Sequence, residues 1–167
     1  MLTLHTKVAT AAQIAGELTL PYELREKSRV RAVLDTGEEV AIVTVRGTVL
    51  RGGDLLAGDD GRVVLIHPAR EATYRVRCDT AGALLRCAFH LGNRHTQTQV
   101  GSSYLRIRAD AVLREMLLGL GAQIDEELAP FEPEAGAYGG GHSHRDGSHL
   151  LAPVPLRQKI HRPSDPA

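Results

Sequence analysis

Residues 73–124, TYRVRCDTAGALLRCAFHLGNRHTQTQVGSSYLRIRADAVLREMLLGLGAQI, decide the fold because one pattern occurs in them twice. Thr73–Cys78 is strand-like in composition. Asp79 or Thr80 can cap a helix that runs through Leu91, since apolar side chains recur on one face at helical spacing. A strand followed by an amphipathic helix is therefore predicted for the first half of this stretch.

The second half repeats the pattern with a hairpin in front of it. Gly92–Asn93 supplies a helix stop, and residues 97–100 and 104–107 are predicted to form two short strands. Asp110 then opens a second amphipathic helix, and residues 122–124 form a last strand. The order strand, helix, strand, strand, helix, strand is that of a ferredoxin-like domain, with both helices on one face of a four-stranded antiparallel sheet.

The flanking segments differ from this central unit. Short runs such as 29–33 and 40–45 alternate or are rich in β-branched residues, with turn residues between them, which predicts a small barrel or sandwich. Arg25, Arg29 and Arg31 are expected on a solvated strand face. The predicted α+β chain comprises a β-rich N-terminal domain at 1–69, the ferredoxin-like domain at 70–135, and a flexible histidine-containing tail at 136–167.

Charge and composition exclude several classes of function. Lys and Arg together number 20, as do Asp and Glu, so the net charge is zero and neither nucleic acid nor an anionic membrane is expected as a partner. The sequence shows no signal peptide and no apolar run of the roughly 20 residues that span a membrane, so we expect a cytoplasmic location. Cys78 and Cys87 fit no zinc motif or disulfide framework and are interpreted as small buried hydrophobic residues.

Histidines cluster near the C-terminal end. Of the eight in the chain, His142, His144 and His149 follow a glycine-rich hinge at 136–141. Closely spaced imidazoles lose little loop entropy when they chelate an ion, and imidazole suits Zn, Cu, Fe and Ni. These three are candidate metal ligands. The alternative is a solvated polar tail in which the histidines are incidental.

His95 is a fourth candidate ligand, on an exposed turn between the first helix and the hairpin. Taken alone, a histidine at such a position more commonly does no more than hydrogen-bond the chain reversal, so the residue by itself leaves both interpretations open.

Four blocks of sequence resemble the UreE family of urease accessory proteins. HLGNRH at 90–95 is similar to that family's motif of the same letters, and RGTVLRGGD at 46–54 resembles its N-terminal hairpin region. Asp110–Leu113 with Met116–Leu117 is similar to the start of its second helix, and PFEPEAGAY at 130–138 resembles the segment before its histidine-bearing tail. The resemblance covers nearly the whole chain to about residue 150.

The resemblance implies a non-enzymatic nickel metallochaperone. It implies a homodimer formed through the second domain, with one Ni²⁺ shared by His95 of both copies and tail histidines completing or supplementing the site. It also implies that nickel passes toward the urease apoprotein complex through the urease accessory GTPase, with Zn²⁺ or Cu²⁺ binding possible in vitro. Ala109 and Ala111 occupy positions where some relatives carry further histidines.

Two other classes of function are considered. The chain could be a non-catalytic interaction module whose β-rich domain binds a partner or peptide, with incidental Zn or Cu binding. A metal-dependent hydrolase is disfavoured, because catalytic zinc needs three protein ligands and an open position, whereas only His95 is expected on rigid structure.

Overall fold

The computed structural model describes residues 1–135, which form two β-sheets and three helices. The strands are β1 Leu2–Val8, β2 Gly16–Leu20, β3 Arg29–Val33, β4 Glu39–Val43, β5 Leu55–Gly58, β6 Val63–Pro68, β7 Arg70–Arg77, β8 Gln99–Val100, β9 Leu105–Arg108 and β10 Gln123–Pro130. The helices are α1 Tyr22–Arg25, α2 Ala81–Gly92 and α3 Ala111–Gly119. The predicted tail at 136–167 lies outside the described residues. None of the helices described is long and apolar enough to cross a membrane.

The N-terminal sheet has six strands in the order β2-β6-β5-β1-β4-β3. Alternation along the strands turns one set of side chains inward, as in β4, where Val40 and Ile42 are buried and their neighbours are more exposed. They pack with Leu4, Leu56 and Ile66, and each such side chain contributes about 2 kcal/mol by leaving water. The parallel pairs β1–β4 and β2–β6 were not predicted, because turn residues indicate only which consecutive strands form hairpins.

The C-terminal sheet has four strands in the order β10-β7-β9-β8, and every neighbouring pair is antiparallel. The predicted succession of strand, helix, strand, strand, helix and strand is observed. Both helices have side-chain caps: Thr80 Oγ1 accepts from the amide of Ala83 at 3.1 Å, and Asp110 Oδ1 accepts from that of Leu113 at 2.9 Å. The core beneath them is apolar and consists of Val76, Cys87, Leu91, Leu105, Ile107, Leu117 and Ala122.

Three local predictions were wrong. The last strand was predicted at residues 122–124, but it is the eight-residue strand β10. Its charged sequence lacks the alternation of a strand, and it is stabilised instead by pairing with β7 and by ion pairs such as Arg77–Asp125. Cys78 is half-buried rather than buried. Arg25 does not lie on a solvated strand face: it ends the unpredicted helix α1 and is fully buried.

The chain after β10 crosses the end of the C-terminal sheet. Strands β10 and β8 are its two edges, so they lie three strand spacings apart, about 14 Å. Beyond Pro130, the amide of Glu132 donates to Oε1 of Gln99 at 3.0 Å, and the amide of Glu134 donates to the carbonyl of Thr98 at 2.9 Å. The last described residues therefore lie beside the chain that enters β8.

Candidate metal site

His95 lies three residues beyond α2, on a turn that the backbone holds. Its amide donates to the carbonyl of Gly92 at 2.9 Å, and the amide of Thr96 donates to that of Leu91 at 3.1 Å. This bond pair is the Schellman arrangement, which requires a left-handed residue just past the helix end. His95 is that residue, with φ of 53°, and it is the only described non-glycine with positive φ.

The helix ends at Gly92–Asn93 as predicted, but the left-handed residue is neither of these two. Gly92 is still helical, and Asn93 is a right-handed C-cap with φ of −63°. The left-handed position normally favours glycine, and another residue there costs on the order of 1 kcal/mol, although histidine and asparagine tolerate it better than most. Because backbone amides form the turn, the exposed imidazole of His95 is not needed to hold it. This argues against the alternative that the His95 side chain serves only to hydrogen-bond the chain reversal.

An open groove of about 630 Å³ lies beside the His95 turn. Its walls come from the turn, from the start of β7 and from the junction of β9 with α3: Glu71, Ala72, His95, Thr96, Gln97, Arg108, Ala109, Asp110 and Leu113. Two of its carboxylates are already engaged, since Glu71 accepts from the amide of Tyr22 at 2.7 Å and Asp110 caps α3. Ala109 lines the same groove as His95.

One copy of residues 1–135 holds no complete metal site. Within this part of the chain, no three His, Cys, Asp or Glu side chains are placed to surround an ion. His142, His144 and His149 lie outside it, so the structure does not place them relative to His95. A complete set of ligands for an ion at His95 therefore needs donors beyond the His, Cys, Asp and Glu side chains of these residues.

Cys78 and Cys87 lie together, and Cys87 is a poor candidate for binding a metal ion. Their sulfur atoms are 3.8 Å apart, with Cys87 fully buried at 0% exposure in the apolar core. Burial, together with the hydrogen bond to Cys78, raises the pKa of the Cys87 thiol to about 11. The thiol is therefore protonated at neutral pH, and only the thiolate is a good ligand.

Apolar side chains are exposed on α2, which precedes the His95 turn, and on α3, whose first turn lines the groove. Leu85 and Phe89 lie one turn apart on α2 and are 71% and 63% exposed. Val112, next to the groove residue Leu113 at the start of α3, is 79% exposed. Leu118, also on α3, is 39% exposed. Large exposed apolar side chains are typical of an interaction surface where they form a continuous patch.

The fold and the site define a strand-rich, two-sheet α+β protein whose candidate metal ligand is an exposed histidine on a helix-terminating turn. Residues 2–68 match the family model of the UreE urease accessory protein, N-terminal domain, and residues 71–161 match that of its C-terminal domain. The chain belongs to the UreE urease accessory protein family, as the HLGNRH motif and its companion blocks predicted.

Two of three individual relatives are similar over nearly their whole length, and the third over about two thirds of its length. The urease accessory protein UreE of Janthinobacterium sp. (strain Marseille) is 68% identical over 169 residues, which cover 100% of this chain and 99% of the relative. UreE of Nitrosospira multiformis is 62% identical over 172 residues, covering 99% and 98%. UreE of Cupriavidus necator is 55% identical over 130 residues, covering 78% and 68%.

Proposed function

We propose that this chain is a nickel metallochaperone of urease maturation, which binds Ni²⁺ between two copies of itself and catalyses no reaction. In this proposal His95 of each copy is a ligand, and His142, His144 and His149 complete or supplement the site. The observation that carries the proposal is an imidazole exposed over an open groove, on a turn where glycine would cost less, in a copy whose described residues cannot surround an ion alone.

Dimerisation supplies the missing ligands most economically. A two-fold axis beside the groove places each His95 opposite its own copy, so that one residue per chain becomes two ligands. Leu85, Phe89 and Val112 are the apolar contacts that such an interface would bury. A stable interface of standard size buries about 800 Å² on each partner, and apolar side chains supply most of its core.

The start of the tail supports participation of its histidines. The amide of Glu134 is bonded to Thr98, three residues from His95. His142 follows Glu134 by 142 − 134 = 8 residues, and eight residues span at most about 28 Å. The tail imidazoles therefore begin their path next to His95 and have enough chain to reach it.

The ligand chemistry suits an ion that must be passed on. Imidazole binds nickel, zinc and copper, whereas the protonated thiol of buried Cys87 does not compete. Cu²⁺ is expected to bind more tightly than Ni²⁺ in vitro, following the Irving–Williams order, and Zn²⁺ also binds. Selectivity for nickel then comes from supply and from partners, which we propose to be the urease accessory GTPase and the urease apoprotein complex.

We further propose a ferredoxin-like class for the C-terminal unit, with metal binding and dimerisation as its roles. The strand order β10-β7-β9-β8, with both long helices in the connections, supports this assignment. The N-terminal sheet is proposed as the partner-binding or peptide-binding unit. A cytoplasmic location follows from the proposed role in assembling urease.

Calorimetric nickel titration with mass measurement tests the proposal. A dimer that binds Ni²⁺ at micromolar or lower concentration is expected, with binding weakened in His95→Ala and unchanged in His5→Ala, which removes an exposed histidine on β1. Unchanged nickel binding in His95→Ala would refute the site. No binding of Ni²⁺ or Zn²⁺ by the wild-type protein would favour the alternative of a non-catalytic interaction module.

A further inference from the structure

The two cysteines of the chain meet between β7 and α2. Cys78 directly follows the last residue of β7, and Cys87 lies in the middle of α2. Their sulfur atoms are 3.8 Å apart, which is hydrogen-bonding distance for two thiols, and both residues are free cysteines. The pair is formed within a single copy of the chain, so it needs no second subunit.

The surrounding structure keeps the two sulfurs together. Only residues 78–80 connect β7 to α2, and Thr80 caps the helix by accepting from the amide of Ala83 at 3.1 Å. The Cys87 side chain belongs to the apolar core of the C-terminal unit, and Cys78 packs against that core. A short capped connection on one side and a packed core on the other leave neither thiol free to move away from its neighbour.

The two thiols differ in access to solvent. Cys78 is half-buried between the exposed residues Arg77 and Asp79, whereas Cys87 is fully buried. Burial and the hydrogen bond to Cys78 also raise the pKa of the Cys87 thiol to about 11. An oxidant arriving from solvent therefore meets Cys78 first, with Cys87 directly behind it. An accessible cysteine next to a second cysteine that can resolve its oxidised form is the arrangement found in thiol redox sensors.

We propose that Cys78 and Cys87 are a modification site, at which hydrogen peroxide converts the two thiols into a reversible disulfide. The Cys78 thiolate attacks one peroxide oxygen, the O–O bond breaks, and the departing hydroxide takes up the proton that Cys78 released. The sulfur of Cys87 then displaces the hydroxyl group of the Cys78 sulfenic acid, and the Cys87 proton leaves with that group as water. Two thiols are oxidised and one peroxide is reduced to two waters. No step depends on nickel binding.

The geometry allows this bond to form without rearranging the fold. A disulfide has a sulfur–sulfur distance of about 2.05 Å, so the two sulfurs must approach each other by about 1.8 Å. Shared between two side chains, that is a shift of about 0.9 Å for each sulfur. A dithiol such as dithiothreitol reverses the change by thiol–disulfide exchange.

Peptide mapping of the full-length wild-type protein tests the inference. The protein is treated with hydrogen peroxide at neutral pH in the presence of a metal chelator, and remaining thiols are blocked with N-ethylmaleimide. It is then digested with trypsin without reduction. Cleavage after Arg77, Arg86 and Arg94 gives peptides 78–86 and 87–94, each with one cysteine. The expected product is these two peptides joined, two hydrogens lighter than their summed mass, and separated again by dithiothreitol.

Two single variants assign the roles of the thiols. In Cys87→Ala the resolving thiol is missing, so Cys78 should be oxidised further and recovered as sulfinic or sulfonic acid. In Cys78→Ala the remaining thiol is buried and protonated, so peroxide should oxidise Cys87 on the order of 100-fold more slowly than it oxidises Cys78 in the wild type. If a variant does not fold, the wild-type peptide map decides the question alone.

Three results from the wild-type protein would overturn the inference. One is recovery of peptide 78–86 with Cys78 as sulfinic or sulfonic acid while Cys87 is still a free thiol. Another is a disulfide that joins Cys78 residues of two different chains. The third is that both thiols stay unreacted at a peroxide concentration that fully oxidises glutathione under the same conditions.

Discussion

Helix α2 leads to two residues of the types that bind metals, Cys87 in its middle and His95 just past its end, and their surroundings are opposite. Cys87 is fully buried, lies against Cys78 and has a thiol pKa raised to about 11. His95 is exposed on a left-handed turn over a groove. Cys87 packs in the core with a protonated thiol. His95 adopts a backbone conformation that lowers stability, and its imidazole is exposed to solvent. Exposure of the side chain, more than residue type, therefore identifies His95 as the candidate ligand.

The sharpest test of this contrast is His95→Gly. Glycine adopts φ of 53° without steric cost, so the free energy of unfolding should rise by about 1 kcal/mol. Nickel affinity should fall on the order of 100-fold, because the dimer loses one imidazole from each copy. Urea unfolding and calorimetry measure the two effects. His95→Ala, which keeps a side chain at the strained position, should lose nickel affinity without gaining stability.

Thiol alkylation tests the burial of Cys87 next. At pH 8 Cys87 should react on the order of 100-fold more slowly than a free cysteine, because burial keeps its thiol protonated. Its rate should rise with pH until about 11, and nickel should leave it unchanged. The raised pKa also means that the native state holds this proton more tightly than the unfolded chain, so its contribution to stability is complete below about pH 8.5 and falls as pH rises toward 11. Rapid alkylation at neutral pH would contradict the assigned burial.

A substitution at the N-terminal end of α2 is expected to have the smallest effect on stability and nickel affinity. Thr80→Ala removes the side-chain acceptor for the amide of Ala83 and should lower the free energy of unfolding by about 1 kcal/mol. Nickel affinity should not change, since Thr80 lies at the other end of the helix from His95. A change in nickel affinity as large as that in His95→Gly would show that loss of helix stability alone disrupts the site.

Much of the fold could be predicted from local patterns. The apolar spacing predicted both long helices, Thr80 and Asp110 were identified as possible caps, and 29–33 was predicted as a strand. Two features could not be predicted from local patterns, because they depend on contacts between residues far apart in the sequence. The charged β10 is a strand because β7 pairs with it, and Arg25 is buried because Phe131 and Glu132 come from more than a hundred residues away.

The candidate site was partly predictable in the same way. The HLGNRH motif identified His95 and the family, but the stop was assigned to Gly92–Asn93, so the left-handed position of His95 was missed. The contacts of Arg25 and Arg51 with Phe131 and Glu132 were missed as well. Their only signal was that the PFEPEAGAY block contains two acidic residues and a phenylalanine at the point where periodic structure ends, which does not identify the partners of these side chains. The assignment of His142, His144 and His149 as ligands stays a prediction.

Anomalous diffraction from crystals of the nickel-loaded, full-length protein, recorded at the nickel absorption edge, tests the central claim most directly. The predicted result is a nickel peak on or near a two-fold axis, within about 2.1 Å of an imidazole nitrogen of His95 from both copies. Nickel bound elsewhere, with the two His95 side chains too far apart to share an ion, would contradict the account.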